Sequence, residues 1–180
     1  MRPALLAILV GTLSGCASAP SVDYSTISPE VIATQATVIR SKFDRGVRIE
    51  GPVIRNTVAK DSDSLISHID IQQILLRAFK ADRTRHQVYV VINYVGSRWR
   101  FYRNASFPRG NVVPITVIDR RVNLCGPSCD YTEEIGIELT EDQLRGSNDL
   151  EFRLNAQSGR TDVITVPRNY IDGYLLAVTR

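Results

Sequence analysis

Apolar and polar positions alternate with a period of two along much of the chain, a pattern that predicts strands. It is clearest over residues 131–139. Ile135, Ile137 and Leu139 fall on one side and Glu134, Gly136 and Glu138 on the other, as in a strand with one buried and one wet face. Residues 87–95 are dense in β-branched and aromatic side chains and predict a second strand. The preceding stretch, 69–80, fits two templates. Ile71, Ile74, Leu75 and Phe79 make a helical stripe, while Ile74, Leu76 and Ala78 also alternate with Leu75, Arg77 and Phe79. Asp82-Arg83-Thr84-Arg85 is a polar turn leading into the 87–95 strand, and consecutive strands tend to pair. A long hairpin is therefore preferred over a helix.

The same reading predicts a hairpin of residues 37–43 and 47–50 around Asp44-Arg45-Gly46, its second strand bent or at an edge where Gly51-Pro52 interrupts. Residues 99–103 are aromatic and strand-like, and 112–122 form a long β-rich run with Pro114 marking an edge or bulge near its start. Residues 150–154 and 162–166 predict a further hairpin across Ser158-Gly159. Ser28 before Pro29-Glu30-Val31-Ile32 predicts a brief helix. Thr140-Glu141-Asp142-Gln143 has the capping-box pattern and starts a helix that Arg145-Gly146 keeps short. Tyr170, Ile171, Tyr174, Leu175 and Val178 recur at helical spacing behind Pro167, so a C-terminal helix over one sheet is expected despite Gly173. Many short strands separated by turns argue for an antiparallel sandwich or barrel. The expected fold is mainly β: an antiparallel β-sandwich-like domain with a short helix and a C-terminal helix.

The first residues follow a different pattern. Arg2 gives one positive charge, residues 4–13 are almost wholly apolar, and Leu13-Ser14-Gly15-Cys16 follows. A charged lead, a short apolar core and small residues make a secretory signal, because a membrane span needs about 20 apolar residues. Leu13-Ser14-Gly15-Cys16 resembles the lipobox of bacterial lipoproteins. That resemblance implies a diacylglyceryl thioether on Cys16, cleavage of residues 1–15, and anchoring to a membrane through the acyl chains. Ala17 rather than Asp after Cys16 implies, in a Gram-negative cell, sorting to the outer membrane and its periplasmic face. The rest of the chain, in particular Phe101-Tyr102…Ala105 and Arg120…Cys125…Cys129…Glu133, resembles bacterial envelope lipoproteins with no assigned activity. Residues 16–35 are small, polar and turn-prone, which predicts a flexible tether ahead of a single domain over 36–180.

Composition narrows the function classes. A hydrophobic content of 43% and a charged content of 23% are ordinary for a globular domain. The formal net charge of +3 is too small by itself to argue for nucleic acid or an anionic membrane surface, and the expected compartment also disfavours nucleic acid. Besides Cys16 the cysteines are Cys125 and Cys129, and an exported pair is expected to be bridged. Cys125-Gly126-Pro127-Ser128-Cys129 looks superficially like the Cys-Gly-Pro-Cys of thioredoxins. However, it is one residue too long and joins two β runs rather than opening a helix, so a structural staple is expected.

No catalytic motif stands out. His68 and His86 are the only histidines, and His68-Ile69-Asp70 lacks further spaced ligands, so no metal and no cofactor are expected. Glu133-Glu134 and Glu138 are carboxylates on or beside one strand, with Glu134 and Glu138 on its wet face. The strongest functional hint is Arg98, Trp99, Arg100, Tyr102 and Arg103, backed by Arg109 and Arg120-Arg121, since Arg mixed with aromatics suits interfaces and anionic ligands. On a strand, Trp99, Phe101 and Arg103 share one face and Arg98, Arg100 and Tyr102 the other. The bland alternative is one core face and one solvated Arg row. Three readings follow: a non-catalytic binding or assembly role toward an envelope protein or a polyanionic envelope polymer, a hydrolase-like enzyme with a dispersed site, and an anionic-ligand sensor. A buried cleft gathering His68 or His86 with carboxylates would favour the enzyme, and a closed apolar core with scattered polar groups would count against it.

Overall fold

The structure, a computed structural model, describes residues 22–43, 45–59 and 69–180. Cys16 and His68 lie outside the described residues. The chain forms α1 (Pro29–Thr34), β1 (Thr37–Arg40), β2 (Val47–Glu50), β3 (Ile54–Ala59), β4 (Ile69–Lys80), β5 (Thr84–Gly96) and β6 (Tyr102–Ser106). Then come β7 (Val112–Pro114), β8 (Thr116–Cys125), β9 (Cys129–Leu139), α2 (Glu141–Leu144), β10 (Leu150–Ala156), β11 (Thr161–Val166) and α3 (Arg168–Thr179). The fold is mainly β and sandwich-like. One antiparallel sheet runs β1-β2-β4-β5-β9-β8 with β3 also on β4, and a second runs β11-β10-β6-β7.

The hairpin preferred for residues 69–80 is present: β4 pairs β5 from Ile71↔Asn93 to Lys80↔Thr84. Alternation sends Ile74, Leu76, Val88, Val90, Ile92, Ile135 and Ile137 to one face of the large sheet, all fully buried. Each such side chain contributes about 1.5–3 kcal/mol relative to exposure. The second sheet and the α1–α3 pair add to the same core. The long run from 112 onward splits at Ile115. Its first part lies in the small sheet and its remainder, β8, forms an edge of the large one. The capping box is present at α2, where Thr140 Oγ1 accepts the Gln143 N–H at 3.3 Å and Gln143 Oε1 accepts the Thr140 N–H at 2.8 Å. Cys125 and Cys129 are bridged (S–S 1.98 Å) at the tip of the β8–β9 hairpin. Closing so short a loop contributes roughly 2 kcal/mol in the chain-entropy model.

Gly51-Pro52 does bend the second strand of the first hairpin. β2 and β3 both pair with β4, but residues 51–53 stand opposite only Leu75 and Leu76. The Leu76 N–H at this break donates to the Tyr170 hydroxyl of α3 at 3.2 Å, and that hydroxyl donates to the Pro52 carbonyl at 2.7 Å. A phenol thus completes an interrupted ladder. Gly51 makes room for it, since a Cβ there would meet the Tyr170 oxygen at 2.5 Å.

Residues 22–35 depart from the expected tether. Tyr24, Ile32 and Ala33 are buried, and the Tyr24 ring packs edge-on against Tyr170 at 5.3 Å. Gly173 permits this, because a Cβ there would lie 2.6 Å from Ile32 Cβ and 2.7 Å from the Pro29 carbonyl. Apolar residues scattered through a polar stretch carry no periodic signal, so their docking was not visible in the sequence. The packed domain therefore begins no later than Tyr24.

Tyr170→Phe is expected to lower unfolding stability by about 1–3 kcal/mol, the cost of leaving a buried N–H and C=O unpaired. Urea unfolding checks this; a loss below about 0.5 kcal/mol would show that the phenol does not complete the ladder.

Candidate functional site

The aromatic–arginine stretch is not the strand that its sequence suggests. Strand pairing begins only at Tyr102, and Phe101 has φ 54°, in the left-handed region that a bulky residue rarely adopts. The alternation of faces expected for residues 98–103 is therefore broken. Arg98 and Arg103 are exposed, Trp99 is half-buried, and Arg100 and Tyr102 are buried. The last two cannot serve as surface groups as the structure stands.

What holds this corner is Glu133. It lies on β9 in line with Ile135 and Ile137 and has no exposed surface. Its Oε1 accepts the Tyr94 hydroxyl at 2.8 Å and the Phe101 N–H at 3.0 Å. Its Oε2 accepts the Tyr102 N–H at 3.2 Å and Arg120 Nε at 2.9 Å. Arg120 reaches on from the edge strand to the Tyr102 carbonyl at 2.9 Å and lies 4.9 Å from the Phe101 ring centre. Four donors on one carboxylate offset the cost of burying its charge.

A second chain of contacts runs into the small sheet. The Arg100 N–H donates to the Tyr94 hydroxyl at 2.8 Å, and its guanidinium stacks 3.9 Å above the Tyr94 ring. That guanidinium also donates to the Tyr102 hydroxyl at 3.3 Å, and Tyr102 donates to Asp162 on β11. Burial pushes the Tyr94 and Tyr102 hydroxyls well above the ordinary phenol range, so both act as fixed neutral donors. Trp99 completes the corner, 4.5 Å from Tyr131 and stacked on Phe101 at 5.7 Å. Glu133 was missed as a site residue, although its parity with Ile135 and Ile137 places a charge on the apolar face. That parity was the available signal.

Outside this clamp the surface is apolar and cationic. A shallow cavity of about 280 Å³ is lined by Phe101, Arg103, Ile115, Val117 and Arg120 among others. It opens beside β8, whose outer edge pairs with no strand among the described residues. Val117, Ile118, Val122 and Leu124 of this edge are exposed, Leu124 to 75%. Bulges at Ile118 and Asn123 interrupt its register against β9. The outer face of the same sheet is tightly cross-linked. Glu134 takes the Tyr89 hydroxyl and Arg121, and Gln87 bridges Arg77 and Glu138 across Gly136. Burial, with Glu134 as acceptor, pushes the Tyr89 hydroxyl up to about 12.

A larger concavity, about 670 Å³, lies where α3 meets β4 and β5, with Lys80, His86, Glu141, Arg145 and Asp172 on its walls. It gathers His86 with carboxylates, the arrangement that would favour an enzyme, but these groups are engaged in contacts within the fold. His86 Nδ1 is 2.8 Å from the Tyr174 hydroxyl, Lys80 donates to the Val178 carbonyl, and the Thr179 hydroxyl turns back onto α3. Glu141 pairs with Arg145, and Asp172 with Arg168. Among the described residues no cluster of three or more His, Cys, Asp or Glu is placed to hold a metal ion. Compared with known proteins, the chain matches no family model, no curated protein and no solved structure.

Two outcomes follow. Glu133→Ala, which strands Arg120 and three further donors, is expected to cost about 3–5 kcal/mol in urea unfolding, against at most about 1 kcal/mol for an exposed pair. A loss in the exposed-pair range would remove Glu133 from its central place. Burial, helped by Arg145 and opposed by Glu141, holds the His86 imidazole below its ordinary value of 6.5. The unfolded chain then takes up the proton first as pH falls, so this contribution is full above about 6.5 and is lost toward the lower native value. The urea midpoint should drop as the pH falls below about 6.5, and His86→Gln should flatten that drop; equal slopes would contradict it.

Proposed function

We propose that this chain is a membrane-anchored lipoprotein of the bacterial envelope with a non-catalytic binding or assembly role. The anchor rests on Leu13-Ser14-Gly15-Cys16 and its implied acylation, with the outer membrane as destination in a Gram-negative cell. No helix among the described residues is long and apolar enough to cross a membrane, so acyl chains on Cys16 are the attachment in this reading. The binding role is carried by one observation. The edge strand β8 leaves Val117, Ile118, Val122 and Leu124 exposed beside the Phe101–Arg103 corner that Glu133 holds rigid. An unpaired edge with apolar side chains accepts an extended segment of a partner by strand addition. A rigid corner lowers the ordering cost of that association. An envelope protein is the partner this surface suits; nucleic acid has no place in the reading.

The test uses the acylated chain in its membrane. A photo-crosslinker at Leu124 is expected to capture one envelope protein, and Val117→Asp with Val122→Asp to abolish that capture. The same crosslinker at Val163, exposed to 60% on the small sheet, should capture nothing. Equal capture from both positions, or capture that survives the aspartates, would refute the β8 surface. Failure of labelled palmitate to enter the chain, with Cys16→Ser as control, would refute the anchor.

A further inference from the structure

Two turns come side by side at the end of the large sheet opposite the disulfide. One joins β1 to β2 and the other joins β4 to β5. The register Arg40↔Val47, Val47↔Lys80 and Lys80↔Thr84 places them in contact. Gly46 makes the contact close, since a Cβ there would lie 2.6 Å from the Lys80 carbonyl. Arg40, Lys42, Arg45, Arg83 and Arg85 are all exposed here, against the acidic Asp44 and Asp82 in the same sequence segments. At the tip of the first turn stands Phe43, exposed to 86%, the most exposed large apolar side chain among the described residues. Lys42 Nζ lies 4.9 Å from its ring centre. An exposed ring beside Lys42, on paired turns rich in exposed cations, is the composition of a site that enters the headgroup layer of an anionic bilayer.

The anchor geometry selects the same end. The packed chain starts at Tyr24, against Tyr170 at the level of Leu76. Eight residue steps back to Cys16 reach at most about 28 Å. Phe43's end of β4, at Lys80, lies only about 13 Å along the strand from Leu76. The disulfide end, at Gly96 on β5, lies about 26 Å the other way from Val88, the partner of Leu76, and would take up the whole tether.

We infer that the Phe43 turn and the neighbouring β4–β5 turn form a docking face for the anionic phospholipid headgroups of the bilayer that holds the acyl chains, with β8–β9 presented away from it. This rests on the anchored-lipoprotein reading, but its test does not need the acyl chains. In the full chain carrying Cys16→Ser and Phe43→Cys, an environment-sensitive dye at position 43 is mixed with vesicles of phosphatidylcholine with or without 30% phosphatidylglycerol. The dye at 43 is expected to move into an apolar environment only with phosphatidylglycerol, while the same dye on Val163→Cys stays in water. Reversal of Lys42, Arg45 and Arg83 to Glu should weaken the response at 43 at least about tenfold, on the usual contribution of each cation near an anionic surface. Circular dichroism establishes that this variant is folded. A dye at 43 that stays in water, or moves equally with 163 or with neutral vesicles, overturns the docking face. Palmitate labelling at Cys16 decides the anchor separately, so failure of one is distinguishable from failure of the other.

Discussion

A carboxylate with no exposed surface sits where the two sheets meet, and the corner between them depends on it. Glu133 arrives on β9 as one of a row of inward residues otherwise apolar, and in this row it alone carries a charge. It converts an irregular segment, residues 99–101, into a fixed part of the fold by accepting the two N–H groups that the positive φ of Phe101 turns inward. Through Tyr94 and Tyr102 the same network ties β5 of the large sheet to β11 of the small one. A buried charge is worth retaining only where every oxygen is satisfied, and here two oxygens take four donors.

The molecule has two unlike ends as a result. Toward Lys80 the core is closed by α3 and α1, with Tyr170 standing in for the ladder bond that Pro52 lacks and Gly173 letting Ile32 approach. Toward Gly96 it is closed by the small sheet and the Glu133 network, and beyond these the β8–β9 hairpin projects with its tip bridged by Cys125 and Cys129. Thirteen residues of β5 separate the two ends by roughly 40 Å. Basic turns at one end and an apolar edge at the other suit a domain held to a surface at one side and offering strand pairing at the other.

Local periodicity made most of the strands legible. Residues 131–139 alternated cleanly because the large sheet has one buried face, and the 69–80 hairpin followed from the turn after it. The capping box at Thr140 and the helical spacing from Tyr170 to Val178 announced α2 and α3 directly. What stayed hidden depends on contacts far apart in the sequence. Phe101 departs from strand geometry where Glu133, thirty-two positions later, binds its N–H. Residues 22–35 dock because Gly173 leaves space for Ile32, which no pattern near residue 32 expresses. Arg100 looked like a surface cation by alternation, yet it lies over Tyr94 once that alternation fails.

Amide hydrogen exchange at Phe101 and Tyr102 tests this account most directly. The two lie at the junction of an irregular loop and a short strand, where exchange would ordinarily be fast. If Glu133 holds them, both amides exchange as slowly as the central amides of β5 and β9, through global unfolding alone. Exchange at rates typical of exposed loops, with β5 and β9 still protected, would contradict the central place given to Glu133.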